Sequence, residues 1–281
     1  MRPEDTIIKR KIPSTGELLP TVGLGTWQTF DVSEAKPERE PLKAVLRTLI
    51  SKGGTVVDSS PMYGRSEEVV GDLSTELGIN DKLFIATKVW TSGKDKGISQ
   101  MNDSLRLLKR ERVELMQIHN LLDWETHLKT LREWKAAGKI KYIGLTHYTE
   151  SAHARLATIL ERERGIDFIQ INYNMLERNA EKNLFPLAQE KGVAVLINQP
   201  FGSGNLFRMI RGKKLPDWSA EFDCHSWGQF FLKFILSNPA VTCVIPGTSQ
   251  ANHMLDNLRA GFGGLPDEKQ RLKMVEIVAG D

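Results

Sequence analysis

Cysteine is scarce in this chain. Cys224 and Cys243 are the two present, with no C-x-x-C pair. That excludes a disulfide framework and a cysteine-rich zinc site, and it suits a reducing compartment. No apolar run approaches the ~20 residues of a membrane span. The leading MRPEDTIIKRK has no apolar core of signal-peptide length. A charge excess is also lacking: 38 basic against 35 acidic residues leave +3, too little to make nucleic acid the main partner. There is no G-x-x-x-x-G-K-S/T phosphate loop, and Gly23-Leu24-Gly25 runs on into Thr26-Trp27-Gln28 without completing G-x-G-x-x-G. A dinucleotide, if bound, must be held another way. H-E-x-x-H is absent, so no metal is expected, and His127, His153 and His225 have no ligand spacing. Phe201-Gly202-Ser203-Gly204 is not a G-x-S-x-G nucleophile elbow. None of the four tyrosines has a lysine four residues on, which excludes a Y-x-x-x-K pair.

What is present describes a globular protein. Hydrophobic residues make up 40% and charged residues 26% of 281, enough to bury a core without staples. No Pro/Gly/Ser linker divides the chain, so one domain over 1–281 is expected, in the cytoplasm. Eight short apolar runs end in polar residues, at 21–27, 55–59, 83–89, 115–119, 141–147, 168–172, 193–198 and 242–248. They are too short for helices and mostly rich in Val, Ile and Phe, as strands buried on both faces require. The segments between them read as amphipathic helices, for instance 124–138 and 179–192, closed by Gly138 and Gly192. Alternating strand and helix predicts parallel pairing with right-handed crossovers. Eight units predict an α/β fold, a (β/α)8 TIM barrel. Before it, IIKRKIPSTGELLP carries a turn signal at Pro13-Ser14-Thr15-Gly16 and reads as an N-terminal β-hairpin. The longest connection, 200–225, carries Phe207, Trp218 and Phe222 and is expected to form a lid.

In such a barrel the chemistry sits at the carboxyl ends of the strands. The second run, VVDSSPMYG, ends at Asp58 with Tyr63 in the loop beyond; FIATKVW holds Lys88; LMQIHN ends at His119. Singly, Asp58 also fits a helix cap, Tyr63 a core phenol and His119 a buried imidazole bonded to backbone. Lys88 is harder to place structurally, because lysine is rarely buried without a partner. Together the four suit carbonyl reduction. A hydride acceptor needs a proton donor for the developing alkoxide. A cation ~4 Å from a phenol, at an effective dielectric near 20, contributes ~4 kcal/mol and is expected to lower a tyrosine pKa by up to ~3. Lys88 is that cation, Asp58 its counter-charge, and His119 a donor that polarises the carbonyl.

With these residues the chain resembles the aldo-keto reductases. The motifs are GLGTW (23–27), VVDSSPMYG, ATKVW and QIHN, and the resemblance spans essentially the whole sequence. It implies a (β/α)8 barrel that binds a nicotinamide cofactor without a Rossmann fold, and a catalytic set of Asp58, Tyr63, Lys88 and His119. It implies cofactor contacts at Gly25, Thr26, Trp27 and Asp58, and at Thr146, His147 and Gln170 around the carboxamide. His147 stands where asparagine is common, and Asn198 where many members stack a tyrosine on the nicotinamide. Gln199, Pro200, Phe201 and Gly202 then face the pyrophosphate. VIPGTSQANHMLDNL (244–258) resembles the adenosine-phosphate site, with Gly247, Thr248, Ser249, His253 and Asn257 as its contacts. Gly247 and His253 occupy positions where members preferring NADP offer a lysine and an arginine. NADP(H) is the cofactor expected from the resemblance, with NAD(H) as the alternative. Trp27, Met62, Trp90 and Phe201 form an expected apolar wall for a small carbonyl substrate, though single aromatics there fit core packing equally. The chain ends soon after its last expected helix, which suggests an open pocket. A cofactor-binding sensor or regulatory subunit on the same scaffold is the competing class. A lyase or isomerase using Lys88 as a Schiff base is a third.

Overall fold

The computed structural model describes residues 6–279; residues 1–5, at the head of MRPEDTIIKRK, and 280–281 lie outside the described residues. A hairpin of β1 (Lys9–Lys11) and β2 (Leu18–Pro20) comes first. Then follow β3 (Leu24–Gly25), β4 (Val56–Asp58), β5 (Phe84–Val89), β6 (Val113–His119), β7 (Ile140–Thr146), β8 (Phe168–Asn172), β9 (Ala194–Asn198) and β10 (Cys243–Val244). β3 to β10 form one eight-stranded parallel sheet in sequence order. The bridges Val22–Val244 and Gly25–Gly247 join its two edges, so the sheet closes as the expected (β/α)8 barrel.

The helices are α1 (Lys36–Ser51), α2 (Ser66–Glu76), α3 (Lys94–Leu107), α4 (Trp124–Ala136), α5 (His153–Arg162), α6 (Leu184–Lys191), α7 (Asn205–Met209), α8 (Trp227–Leu236), α9 (Ala251–Arg259) and α10 (Glu268–Ala279). The turns after α4 and α6 need a left-handed residue, and Gly138 (φ 72°) and Gly192 (φ 67°) provide it.

Strand period places the site. Alternate residues of each strand face the barrel axis. At one end the inward side chains are Val56, Phe84, Leu115, Tyr142, Phe168 and Cys243, packed with Ile12 and Leu19 of the hairpin. The rings of Phe84, Tyr142 and Phe168 lie 5.4–6.1 Å apart. Aromatic packing and the hairpin therefore close this floor. Two to four residues further along the same inward faces come Asp58, Lys88, Gln117, His119, Thr146, Gln170 and Asn198. The outward residues, such as Val57, Ile85, Val89, Met116 and Ile118, pack in the helical layer.

The 200–225 connection departs from expectation. It holds α7 and two short 3-10 turns, Gly202–Gly204 and Asp217–Phe222. Phe207 packs on Phe231, and Trp218 and Phe222 pack together with Trp218 on Phe230, so these aromatics dock on α8 and do not form a lid.

Candidate active site

At the open end lies a cavity of about 650 Å³. Lys88 sits just beneath it, fully buried. Its Nζ donates to Asp58 Oδ2 at 2.6 Å and to the Ser59 carbonyl at 2.7 Å. The other oxygen of Asp58 accepts from Gln117 Nε2 at 3.0 Å and Gln170 Nε2 at 2.7 Å. The carboxylate is thus bonded on both sides, as a buried charge demands. One ammonium N–H remains on the side of Tyr63, whose ring centroid is 4.8 Å from Nζ. Burial opposes the Lys88 charge, but Asp58 and Tyr63 outweigh it and hold the ammonium above its ordinary pKa.

Tyr63 behaves differently from the sequence expectation. Burial pushes its phenol above the ordinary value; Lys88 pulls it down, Asp58 pushes it up, and the net direction is upward. The attraction of the cation is present, but removing the phenolate from water costs more. Tyr63 therefore keeps its proton through the neutral range.

His119 meets Tyr63 edge-on, with ring centroids 5.9 Å apart at 86°. Its Nδ1 lies 3.1 Å from Ser60 Oγ. We assign the Ser60 hydroxyl as donor, which leaves Nε2–H as the imidazole's own donor. Burial, then Lys88, push its pKa down to about 3, so the ring is neutral.

The cavity brings together most of the residues expected from the sequence: Gly25, Thr26, Trp27, Asp58, Met62, Tyr63, Trp90, His119, Thr146, Gln170, Asn198, Gln199, Pro200, Phe201 and Gly247. Trp27 (49%), Trp90 (40%) and Met62 (39%) are too exposed to be core residues and stand at its mouth. Phe201 both lines the cavity and packs on Phe207. Other expected residues lie off its wall. Gly202 is buried in a turn, with its N–H bonded to the Gln199 carbonyl. Thr248 Oγ1 accepts from Gln250 N, Ser249 and His253 are exposed, and Asn257 is buried on α9. His147 is also off the wall: Nδ1 accepts from Tyr148 N, Thr149 N and Thr149 Oγ1, and the ring stacks on Tyr148. Nδ1 is thus occupied within its own loop, which leaves Nε2–H as the ring's donor.

Sequence reasoning did not find Tyr148, Asn120, Gln28, Thr29, Ser203, Gly204 or Ile245 in the wall. It also passed over Gln117 and Glu67. Both carried a signal: Gln117 is two residues before His119 on the same strand face, and Glu67 shares a helical face with Val70, Gly71 and Ser74. Glu67 accepts from the hydroxyls of Thr87, the neighbour of Lys88, and of Ser104 at 3.1 Å. It is 1% exposed, and burial pushes its carboxyl above the ordinary range. A carboxyl raised in the folded state contributes stability below its unfolded pKa, and this is lost as pH rises through the folded one. Glu67→Gln should therefore gain stability relative to wild type as pH rises from ~4 to 8. Urea denaturation across that range measures it, and parallel pH curves would contradict it.

The sequence matches the profile of the Aldo/keto reductase family over residues 21–274. The methylglyoxal reductase YeaE of Escherichia coli is 27% identical over 259 residues, covering 89% of this chain and 88% of YeaE. The aldo-keto reductase YhdN of Bacillus subtilis is 26% identical over 228 residues, covering 75% of this chain and 66% of YhdN. A solved aldo/keto reductase from Klebsiella pneumoniae, in complex with NADP and acetate, has a TM-score of 0.77 at 22% identity, covering 97% of this chain and 94% of that one. The holo form of AKR11C1 from Bacillus halodurans also has a TM-score of 0.77, at 21% identity and 96% coverage of both chains. The structural likenesses speak for the fold, and the profile, matched across nearly the whole barrel, settles kinship: the chain belongs to the aldo/keto reductase family.

Proposed function

We propose that this chain reduces aldehydes or ketones to alcohols with NADPH, Tyr63 donating the proton. The coarser class, an NAD(P)H-dependent oxidoreductase acting on small carbonyl compounds, follows from family membership. The observation that carries the finer reading is the buried Lys88–Asp58 pair set beneath a protonated Tyr63 and beside a neutral His119.

A carbonyl oxygen between Tyr63 and His119 Nε2 receives two hydrogen bonds. The imidazole polarises it, and the phenol transfers its proton as charge develops. Trp27, Trp90, Met62 and Tyr148 surround the substrate and exclude water. The reduced nicotinamide, when bound, supplies the hydride. Thr146, Gln170 and Asn198 stand at the end of the cavity suited to its ring, with Gln199–Phe201 and Gly247 flanking the dinucleotide; the unpaired buried oxygen of Asn198 fits an amide N–H. NADP(H) is favoured over NAD(H) because the Klebsiella pneumoniae relatives carry NADP and NADPH. With Gly247 and His253 in place of fixed cations, the preference is expected to be modest. A Schiff-base role for Lys88 has no support, since its ammonium is buried and doubly bonded.

Tryptophan fluorescence titration with NADPH and NADH, followed by NADPH oxidation with an aldehyde panel that includes methylglyoxal, tests the reading. Turnover of at least one carbonyl is expected. Tight binding without turnover on any would favour the sensor class instead. Because His119 is neutral, kcat/KM should show no limb near ~6.5, the ordinary imidazole pKa. A limb there would mean that His119 titrates in the working range, against the role given to it.

A further inference from the structure

We infer that a second cavity, at the barrel end away from the active site, binds a phosphate monoester carried on an apolar body, with Lys9, Lys52 and Arg259 holding the phosphate. This ligand is neither substrate nor cofactor, so the site stands whether or not the chain reduces carbonyls.

The cavity holds about 810 Å³ and shares no lining residue with the active-site cavity. Its walls come from the segment leading into β1, the end of α1 and the end of α9. α1 ends just before β4 begins, so these walls lie at the amino ends of the barrel strands. Asp58 and His119, by contrast, close the carboxyl ends of β4 and β6. Ile7, Leu258 and Phe262 give the cavity an apolar side, with Ile7 and Leu258 buried. The volume lies within the ~300–1,000 Å³ of small-molecule sites.

Among the described residues, three cations and no acid line this cavity. Lys9, Lys52 and Arg259 are exposed, and none of the three side chains has a partner among those residues. Cations elsewhere on the surface do: Lys94, Lys135 and Lys141 each reach a carboxylate at 2.6–2.9 Å. Helix ends offer a plainer reason for two of the three. Lys52 follows α1 and Arg259 closes α9, where a cation answers the helix dipole. Yet carbonyls in the last turns of both helices are already capped. Those of Thr48, Leu49 and Ile50 accept from the N–H groups of residues 52–54, and those of Asn257 and Leu258 from residues 260 and 261. Lys9 lies on β1, and no helix end accounts for it. Three like charges around one cavity repel one another, and an anion relieves that repulsion. A carboxylate cancels one charge. A phosphate monoester brings about −1.5 to −2 and three acceptor oxygens, which suit a guanidinium fork and two ammonium groups. The apolar side favours the ester over bare phosphate.

The probe is 1-naphthyl phosphate, titrated calorimetrically into the full chain alongside inorganic phosphate and 1-naphthol. Wild type should bind the ester about tenfold more tightly than either part, and more weakly as salt screens the charges. Lys52→Gln/Arg259→Gln should weaken the ester about tenfold. Phe262→Ala should narrow the gap between the ester and inorganic phosphate. Equal affinity of wild type and the double variant for the ester would overturn the site, and so would no ester binding by wild type at millimolar concentration. Glu4 and Asp5 immediately precede the wall residue Thr6 in the sequence. Ester binding that appears only in Glu4→Gln/Asp5→Asn would show that the chain's own acids answer the cations, and would overturn the ligand. Co-sedimentation with phosphatidylglycerol vesicles, without binding of the soluble ester, would assign the cations to a membrane surface and overturn it equally.

Discussion

Tyr63→Phe should lower kcat by ~10²–10⁴-fold while NADPH affinity stays within about twofold of wild type. Only the hydroxyl is removed. The ring keeps its edge contact with His119 and its place over Lys88 Nζ, so packing and the coenzyme end of the cavity are undisturbed. The phenol's upward pKa gives the reaction a direction. A protonated donor serves reduction throughout the neutral range, whereas alcohol oxidation needs the scarce phenolate. Reduction should thus be nearly flat with pH around neutrality, and oxidation should climb well beyond it. In Tyr63→Phe that climb should vanish with the activity. Single-turnover reduction and a pH series of oxidation rates measure both. A variant with normal kcat would move the proton donor elsewhere, most simply to His119 or a water.

The barrel was legible because each strand writes its layering into the sequence. Apolar residues for the floor are followed, two or four positions later, by a polar residue for the mouth, as in Val56 then Asp58 and Leu115 then His119. Asp58, Lys88 and His119 fall on those positions, so the strand ends bring these three together; Tyr63 is added by the loop that follows β4. Three other features were not legible, for separate reasons. The direction of the Tyr63 pKa depends on burial, and counting only the attraction of Lys88 gives the opposite sign. The aromatics of 207–222 look the same in sequence whether they cover a substrate or dock on a helix, and Phe230 and Phe231 decide for the helix. His147 was expected at the carboxamide from the family resemblance alone; it follows the inward Thr146 by one residue, and its ring nitrogen finds two backbone N–H groups one and two residues on. Local side-chain-to-backbone bonding of this kind competes with any ligand contact. It leaves Tyr148, half exposed, as the aromatic at that edge of the cavity.

Lys88→Met should both abolish useful turnover and destabilise the fold, and the two losses can be separated. Methionine is close in length and removes the charge. Asp58 Oδ2 then loses its 2.6 Å partner and the Ser59 carbonyl its 2.7 Å donor, both inside the barrel. Breaking a buried pair from one side costs ~3–5 kcal/mol, because the remaining charge is uncompensated. The double variant Asp58→Asn/Lys88→Met removes that charge as well. Gln117 and Gln170 can still donate to the amide oxygen that replaces the carboxylate, so most of the lost stability should return. Activity should not return, because Tyr63 no longer has a cation to stabilise the phenolate it becomes. The single variant should therefore lie well below wild type in urea denaturation and the double variant close to it, with both at least ~10²-fold down in kcat/KM. In the single variant the oxidation profile should also move to higher pH, since burial then acts on the phenol unopposed. Equal destabilisation of the single and double variants would show that Asp58 is not the charge Lys88 answers. An unmoved oxidation profile would show that the ammonium does not act on Tyr63.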